Sequence, residues 1–273
     1  CKIEDNTIFI YNPNNNKKIG EIEVTSTSKI NDIIKSAKYD VQWKEKKLKK
    51  RIQILKKFRK RIINHIDDFV NTISQETGKK PFEALIEVFN VLEHLKESSK
   101  TALYCLKNEN RKSGLLKTKK AIICYEPKGT IGIISPWNYP LILTLTPMIE
   151  ALLSGNNVVI KPSEHTSLCA QKIKKIWDQT TNLPNTVNLI YGSANVGNQL
   201  VEHDGIDMIC FIGSTKVGKI IAQKCAKTLK PYILELGGKD PMIVMDDANI
   251  ERAVNAALWG GLTNAGQTCI SVE

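Results

Sequence analysis

No run of about 18 apolar side chains, the length a membrane-crossing helix needs, occurs in these 273 residues. The opening Cys1-Lys-Ile-Glu-Asp5 lacks the apolar core of a secretory leader and a starting Met, so the chain is expected to begin inside a longer frame or after trimming. Seven cysteines (1, 105, 124, 169, 210, 225 and 269) form no CxxC pair, and four histidines (65, 94, 165 and 203) form no HxxxH or HExxH. Odd, scattered thiols in a chain this long predict a reduced, cytoplasmic protein without a metal site. Low-complexity linkers, internal repeats and GxGxxG are missing, and so is a phosphate loop ending in Gly-Lys-Ser/Thr. Acid is scarce in one place. Between Lys44 and Arg61 eleven Lys and Arg accompany the single Glu45, which accounts for +10 of the formal net charge of +11. The basic balance therefore belongs to one helix face, read as solvated. Polyanion or membrane-surface binding is its competing reading, and no specific nucleic acid is expected.

What is present is enough for a core, with 42% apolar residues and a length suited to about two domains. Thr7–Tyr11 and 18–24, split by Asn-Pro-Asn-Asn-Asn, read as a hairpin. A short helix follows at 32–38. Apolar positions 48, 52, 55, 58, 62, 66 and 69 predict one amphipathic helix running to Gly78. Pro81 opens another, with 85, 88, 89, 92 and 95 inward. After Gly114, residues 115–117 and 121–125 read as short strands. Strands at 130–134, 157–160, 186–190, 208–212 and 232–236 then alternate with helices at 141–153, 166–178, 196–202 and 216–229. That alternation predicts an α/β fold, a parallel sheet covered by helices on both faces. A last helix, 250–262, is expected to bury Ile250, Val254, Ala257 and Leu258. Ligands of such sheets sit at the strands' carboxyl ends, where the motifs fall.

Five motifs carry chemistry, each with a plainer alternative. In Ile134-Ser135-Pro136-Trp137-Asn138-Tyr-Pro-Leu141 two prolines stiffen a strand-to-helix turn, and Asn138 can donate to a developing oxyanion or simply cap the helix. In Lys161-Pro-Ser163-Glu164 an ammonium and a carboxylate leave a buried strand; they can bind ribose hydroxyls, or Ser163 and Glu164 simply start the next helix. Phe211-Ile-Gly213-Ser214-Thr-Lys-Val217-Gly offers backbone amides to a phosphate, or is an ordinary turn. Glu235-Leu236-Gly237-Gly238 places a carboxylate before two permissive glycines, as a desolvated general base or a strand-end ion pair. Thirty-four positions beyond Glu235, Asn264-Ala-Gly-Gln-Thr-Cys269 holds a thiol in a polar loop, exposed as a nucleophile or buried like most cysteines.

In order and wording these five motifs resemble the aldehyde dehydrogenase superfamily along essentially the whole chain. Trp137-Asn-Tyr-Pro-Leu141, Pro147, Lys161-Pro-Ser-Glu164 and Thr215-Lys-Val-Gly-Lys219 look most like its fatty and aromatic (class 3) branch. The resemblance implies a Rossmann-like NAD(P)-binding domain at 1–108 and 128–237, a bridging β segment at 109–127, and only the start of an α/β catalytic domain at 238–273. It implies that Cys269 attacks an aldehyde, that Asn138 and the Cys269 amide hold the oxyanion, that hydride passes to a nicotinamide, and that Glu235 activates water on the resulting thioester. Lys161 and Glu164 would contact the adenosine ribose and Ser214, beside Gly213, the pyrophosphate. Ser135, Pro136, Trp137, Ser163, Gly192, Phe211, Val217, Leu236 and Gly237 would complete the cofactor cleft. Glu164 favours NAD, with NADP not excluded. Family members continue well past the nucleophile, so this piece is expected to be inactive alone, and a homo-oligomer when full length. A non-catalytic nucleotide-binding remnant and a coenzyme A-acylating enzyme are the alternatives.

Overall fold

The computed structural model describes residues 1–272. Strands β1 (Lys2–Glu4), β2 (Thr7–Tyr11) and β3 (Lys18–Glu23) form an antiparallel sheet in that order. The turn between β2 and β3 closes where Asn12 donates its N–H to the Lys17 carbonyl at 2.9 Å and Asn16 takes a left-handed φ of 55°. Helix α1 (Thr27–Tyr39) follows, started by Ser26, whose hydroxyl accepts from the Lys29 amide.

The long helix expected from Trp43 to Gly78 is two: α2 (Leu48–Ile63) and α3 (Ile66–Thr77). Asn64 ends the first and His65 leaves helical space (φ −125°, ψ 25°), its Nδ1 2.8 Å from the Arg61 carbonyl. The apolar stripe runs on across the break, with Ile52, Leu55, Phe58, Ile62 and Phe69 all buried, which is why periodicity alone does not reveal it. Gly78 closes α3 with a left-handed φ of 77°.

Helix α4 (Pro81–Cys105) buries Val88, Leu92 and Leu95 as expected, but Phe89 is 54% exposed and Glu87 is inside instead. The strand expected at 115–117 is absent. The two-stranded unit is β4 (Glu109–Arg111) against β5 (Ala121–Ile123), antiparallel.

The remaining elements alternate: β6 (Thr130–Ile134), α5 (Ile142–Leu153), β7 (Asn157–Lys161), α6 (Ser167–Thr180), β8 (Val187–Leu189), α7 (Ala194–Glu202), β9 (Met208–Gly213), α8 (Thr215–Ala226) and β10 (Tyr232–Leu236). The five strands are parallel in the order β10-β9-β6-β7-β8. One face packs on the helices from α2 to α6, around Trp43, Phe58 and Trp177, whose rings meet edge-on at 5.6 Å. The Trp43 indole N–H donates to the Leu152 carbonyl, so its polar end is satisfied. The other face is covered by α1, α7 and α8. Helix α9 (Ile250–Leu262) departs from expectation: it buries nothing, and Ile250, Val254 and Leu258 are each more than half exposed. No helix among the described residues is long and apolar enough to cross a membrane.

Candidate active site

From β6 the chain builds outward through β7 to β8, returns to lie beside β6 as β9, and continues to β10. Such a reversal opens a crevice at the carboxyl ends of the central strands. The turn after β6 lies there. Ser135 is buried, its hydroxyl accepting from Thr144 Oγ1 at 2.7 Å and its N–H donating to the Lys161 carbonyl. Pro136 and Pro140 flank Trp137, which is exposed, and Asn138. Asn138 does not cap α5. The first amides of that helix, Leu141 and Ile142, are taken by Glu87 Oε1 at 2.7 and 3.1 Å. The Asn138 side chain instead donates to the Gln267 carbonyl at 2.8 Å, spanning 129 positions. Beside it the Tyr139 and Thr268 hydroxyls meet at 2.9 Å.

The thiol loop follows α9 through three consecutive left-handed residues, Asn264 (φ 60°), Ala265 (φ 56°) and Gly266 (φ 70°). Such a conformation costs a residue with a Cβ about 1–2 kcal/mol, so outside contacts must hold it. Glu83 Oε1 accepts from the Asn264 amide at 2.6 Å, and the Asn264 side chain donates to the Asn138 and Gln267 carbonyls, both at 3.1 Å. Cys269 is exposed, and its carbonyl accepts from the Gly238 amide at 3.2 Å. All seven cysteines are free.

Glu235 reaches the same end of the sheet by another route. Opposite Ile212 in register, its side chain lines a groove of about 760 Å³ on the α5 face, with Thr146, Pro147, Glu150, Cys210 and Ile233. It is exposed, so the desolvation expected of a general base is not supplied by the described residues. The three motifs thus meet through two hydrogen bonds: the Asn138 side chain to the Gln267 carbonyl, and the amide of Gly238, three residues past Glu235, to the Cys269 carbonyl.

The nucleotide candidates gather toward α7 and α8. Lys161 is buried with its ammonium 3.0 Å from Glu164 Oε2. Burial alone would raise the Glu164 carboxyl; Lys161 and a backbone hydrogen bond outweigh it and hold it below the usual range. A Cβ on Gly197 would meet only the Lys161 and Ile134 side chains, at 3.9 Å, so α7 leaves the lysine room. Ser163 is buried and accepts from the His165 amide. Gly192 has a φ of 155°, and a Cβ there would lie 2.3 Å from Val196. A Cβ on Gly213 would strike the buried Phe211 ring at 2.6 Å. Ser214 caps α8 by accepting from the Val217 amide, Val217 itself is exposed, and Leu236 packs against Gly218. Gly237 has open space on its missing side chain. The turn at the start of α8 suits a phosphate-bearing ligand, and the Lys161–Glu164 pair suits ribose hydroxyls. No group of three or more His, Cys, Asp or Glu side chains placed to hold a metal occurs among the described residues.

Residues 2–273 match the family model described as "Aldehyde dehydrogenase family". The chain belongs to that family. Among curated aldehyde dehydrogenase relatives, the 4,4'-diapolycopene aldehyde oxidase of Methylomonas sp is 34% identical over 272 residues, covering 98% of this chain and 51% of its own. The D-glyceraldehyde dehydrogenase (NADP(+)) of Picrophilus torridus is 32% identical, covering 98% and 54%. The betaine aldehyde dehydrogenase of Staphylococcus aureus, solved with NAD+, superposes with a TM-score of 0.93 at 29% identity, covering 97% of this chain and 53% of that one. The chain spans about half the length of the curated relatives it matches.

Three site residues of this aldehyde dehydrogenase chain escape motif reading. Lys79 is fully buried, paired to Glu87 Oε2 at 2.9 Å, donating to the Asn138 carbonyl at 2.8 Å and lying 4.4 Å from the Tyr139 ring centroid. Burial raises the Glu87 carboxyl, against the pull of Lys79 and the Leu141 and Ile142 amides. Glu83 is the third. A lysine and two glutamates around Pro81 look like a solvated helix start, and only the partners 50 to 180 residues away reveal them.

Proposed function

We propose that the complete protein oxidises an aldehyde to a carboxylic acid, with NAD as hydride acceptor and NADP as the alternative. The observation that carries this reading is the 2.8 Å bond from the Asn138 amide to Gln267, two residues before Cys269, with the Glu235 strand tied to the same loop through Gly238. The exposed Cys269 thiolate adds to the carbonyl carbon, and Asn138 is the candidate donor to the oxygen that becomes anionic. Held that way, a donor is worth about 2.7–4 kcal/mol in comparable acyl-transfer sites. Lys161 and Glu164 would hold the ribose hydroxyls, with Ser214 and the backbone after Gly213 on phosphate. When bound, the dinucleotide supplies the site that accepts hydride. Glu235 then takes a proton from the water that hydrolyses the Cys269 thioester. A carboxylate at 235 favours hydrolysis over transfer to coenzyme A, and Glu164 opposes a ribose 2′-phosphate. The relatives support both cofactors, since one carries NADP(+) in its name and a structural neighbour holds NAD+.

Within this reading, 1–108 and 128–237 form the nucleotide domain, 109–127 the oligomer-bridging segment, and residues from 238 on the opening of the catalytic domain. The wording of the 137–141 motif favours the class 3 branch. A thiol reagent tests the nucleophile: in the complete protein, alkylation should fall chiefly on Cys269, abolish NADH formation, and be slowed by NAD plus aldehyde. Unprotected labelling with activity intact would refute it. The 273-residue piece alone is expected to bind NAD weakly and turn over negligibly. NADH produced from an aldehyde panel at ordinary enzymatic rates would overturn that expectation.

A further inference from the structure

We infer that Lys79, Glu83 and Glu87, at and just before the start of α4, form a positioning clamp that holds Asn138 and the Cys269 loop in register, which rests on the proposed roles of those two residues. The clamp has two arms from one short segment. Lys79 reaches the Asn138 carbonyl at 2.8 Å while its partner Glu87 holds the next two free amides of that turn, Leu141 and Ile142. Glu83 reaches the Asn264 amide at 2.6 Å and also accepts from the Lys80 amide at 3.2 Å, so its carboxylate is fixed at the helix start. Asn264 closes the ring by donating to the Asn138 carbonyl, the same oxygen that Lys79 holds. The loop therefore has its left-handed conformation imposed by a carboxylate some 180 positions upstream. The oxyanion donor and the sulfur are referenced to the same helix turn.

The contacts of all three are with the protein, so each acts through another residue. Their loss is felt where geometry between donor and sulfur matters and not where sulfur alone reacts. Acylation of Cys269 by p-nitrophenyl acetate passes through an oxyanion and releases p-nitrophenolate, whereas alkylation by iodoacetamide displaces iodide directly at carbon with no oxyanion. Neither needs cofactor, so both can be run on the complete protein without NAD. Glu83 is half-buried and gives the cleaner variants: Glu83→Gln keeps an acceptor for the Asn264 amide, and Glu83→Leu has none.

In Glu83→Leu the Cys269-dependent burst should slow by about tenfold or more, the scale on which small misplacements of reacting groups act. Alkylation of Cys269, mapped against Cys105 and Cys124 as internal controls, should change less than about threefold, because it calls on no oriented donor. Hydrogen exchange should accelerate in the peptide covering 264–268 and stay unchanged in β6 and β7. Glu83→Gln, which keeps the Asn264 contact and gives up the one from the Lys80 amide, should return all three readouts most of the way to the parent values. Unchanged exchange at 264–268 in Glu83→Leu overturns the clamp, as does loosened exchange with an undiminished burst, or failure of Glu83→Gln to restore. A parent chain whose burst equals that of Cys269→Ser refutes Cys269 as the nucleophile and removes the clamp's catalytic meaning, and that outcome is recognised separately because the exchange difference persists.

Discussion

Replacing Lys79 by Met is expected to cost about 3–5 kcal/mol of folding stability, the usual penalty for stripping one partner from a buried ion pair. Both side chains are completely buried, so the loss is not screened by solvent. The methionine fills the aliphatic volume but leaves Glu87 with only the Leu141 and Ile142 amides. Stability falls as pH rises, because the stranded carboxyl is tolerated only while it holds a proton. The deficit should therefore shrink on acidification. Adding Glu87→Gln, whose amide oxygen still accepts from those two N–H groups, should recover more than half of the loss. Urea midpoints with unchanged slopes measure all three chains. A deficit under about 1 kcal/mol in Lys79→Met would mean that the pair contributes no more than a surface bridge does.

That pair also marks where sequence reading stops. The parallel strands were legible because β6, β7 and β9 are short apolar runs closed by glycine, proline or a polar turn, signals contained within five or six residues. The motif loops were legible because glycine and proline report local backbone geometry. The break at Asn64-His65 was not, since the helix ends by a local carbonyl contact while the apolar stripe continues in phase. Leu115–Lys117 had strand-like composition and no partner strand. Phe89 in α4 and the apolar side of α9 depart from periodicity for a different reason. Burial depends on what lies opposite, and Phe89, Ile250 and Leu258 are each left more than half exposed by the described residues. The roles of Lys79, Glu83 and Glu87 are set wholly by distant partners, which no spacing rule encodes.

The second large effect concerns Glu76, buried in α3, whose two oxygens accept from the Leu168 and Cys169 amides at the start of α6, at 2.7 and 2.9 Å. Burial pushes its carboxyl up to about 8, with those amides and Lys172 opposing. Below about 4.5, the ordinary value, folded and unfolded chains both hold the proton and the favourable contribution is complete. Between 4.5 and 8 only the folded chain retains it, so stability declines as pH rises, by about 5 kcal/mol across the window. Above 8 the loss is complete. Glu87 is raised too and adds a slope of the same sign, so the comparison that isolates Glu76 is with Glu76→Gln. That variant should be flatter from pH 5 to 8.5 and less stable than the parent at pH 5, since the two donors sit on separate oxygens and Gln replaces one of these with an NH2 group. Equal slopes in urea titrations of the two chains would exclude Glu76 as the source.

Strand β10 pairs with β9 alone among the described residues, and its Tyr232 and Ile233 are more than 40% exposed. Its outer rim is a row of backbone donors and acceptors free to recruit a further strand, flanked by sticky side chains and carrying no proline or bulge to turn a visitor away. The margin open to a further strand therefore lies apart from the positive charge, which is concentrated on α2 and the turn before it.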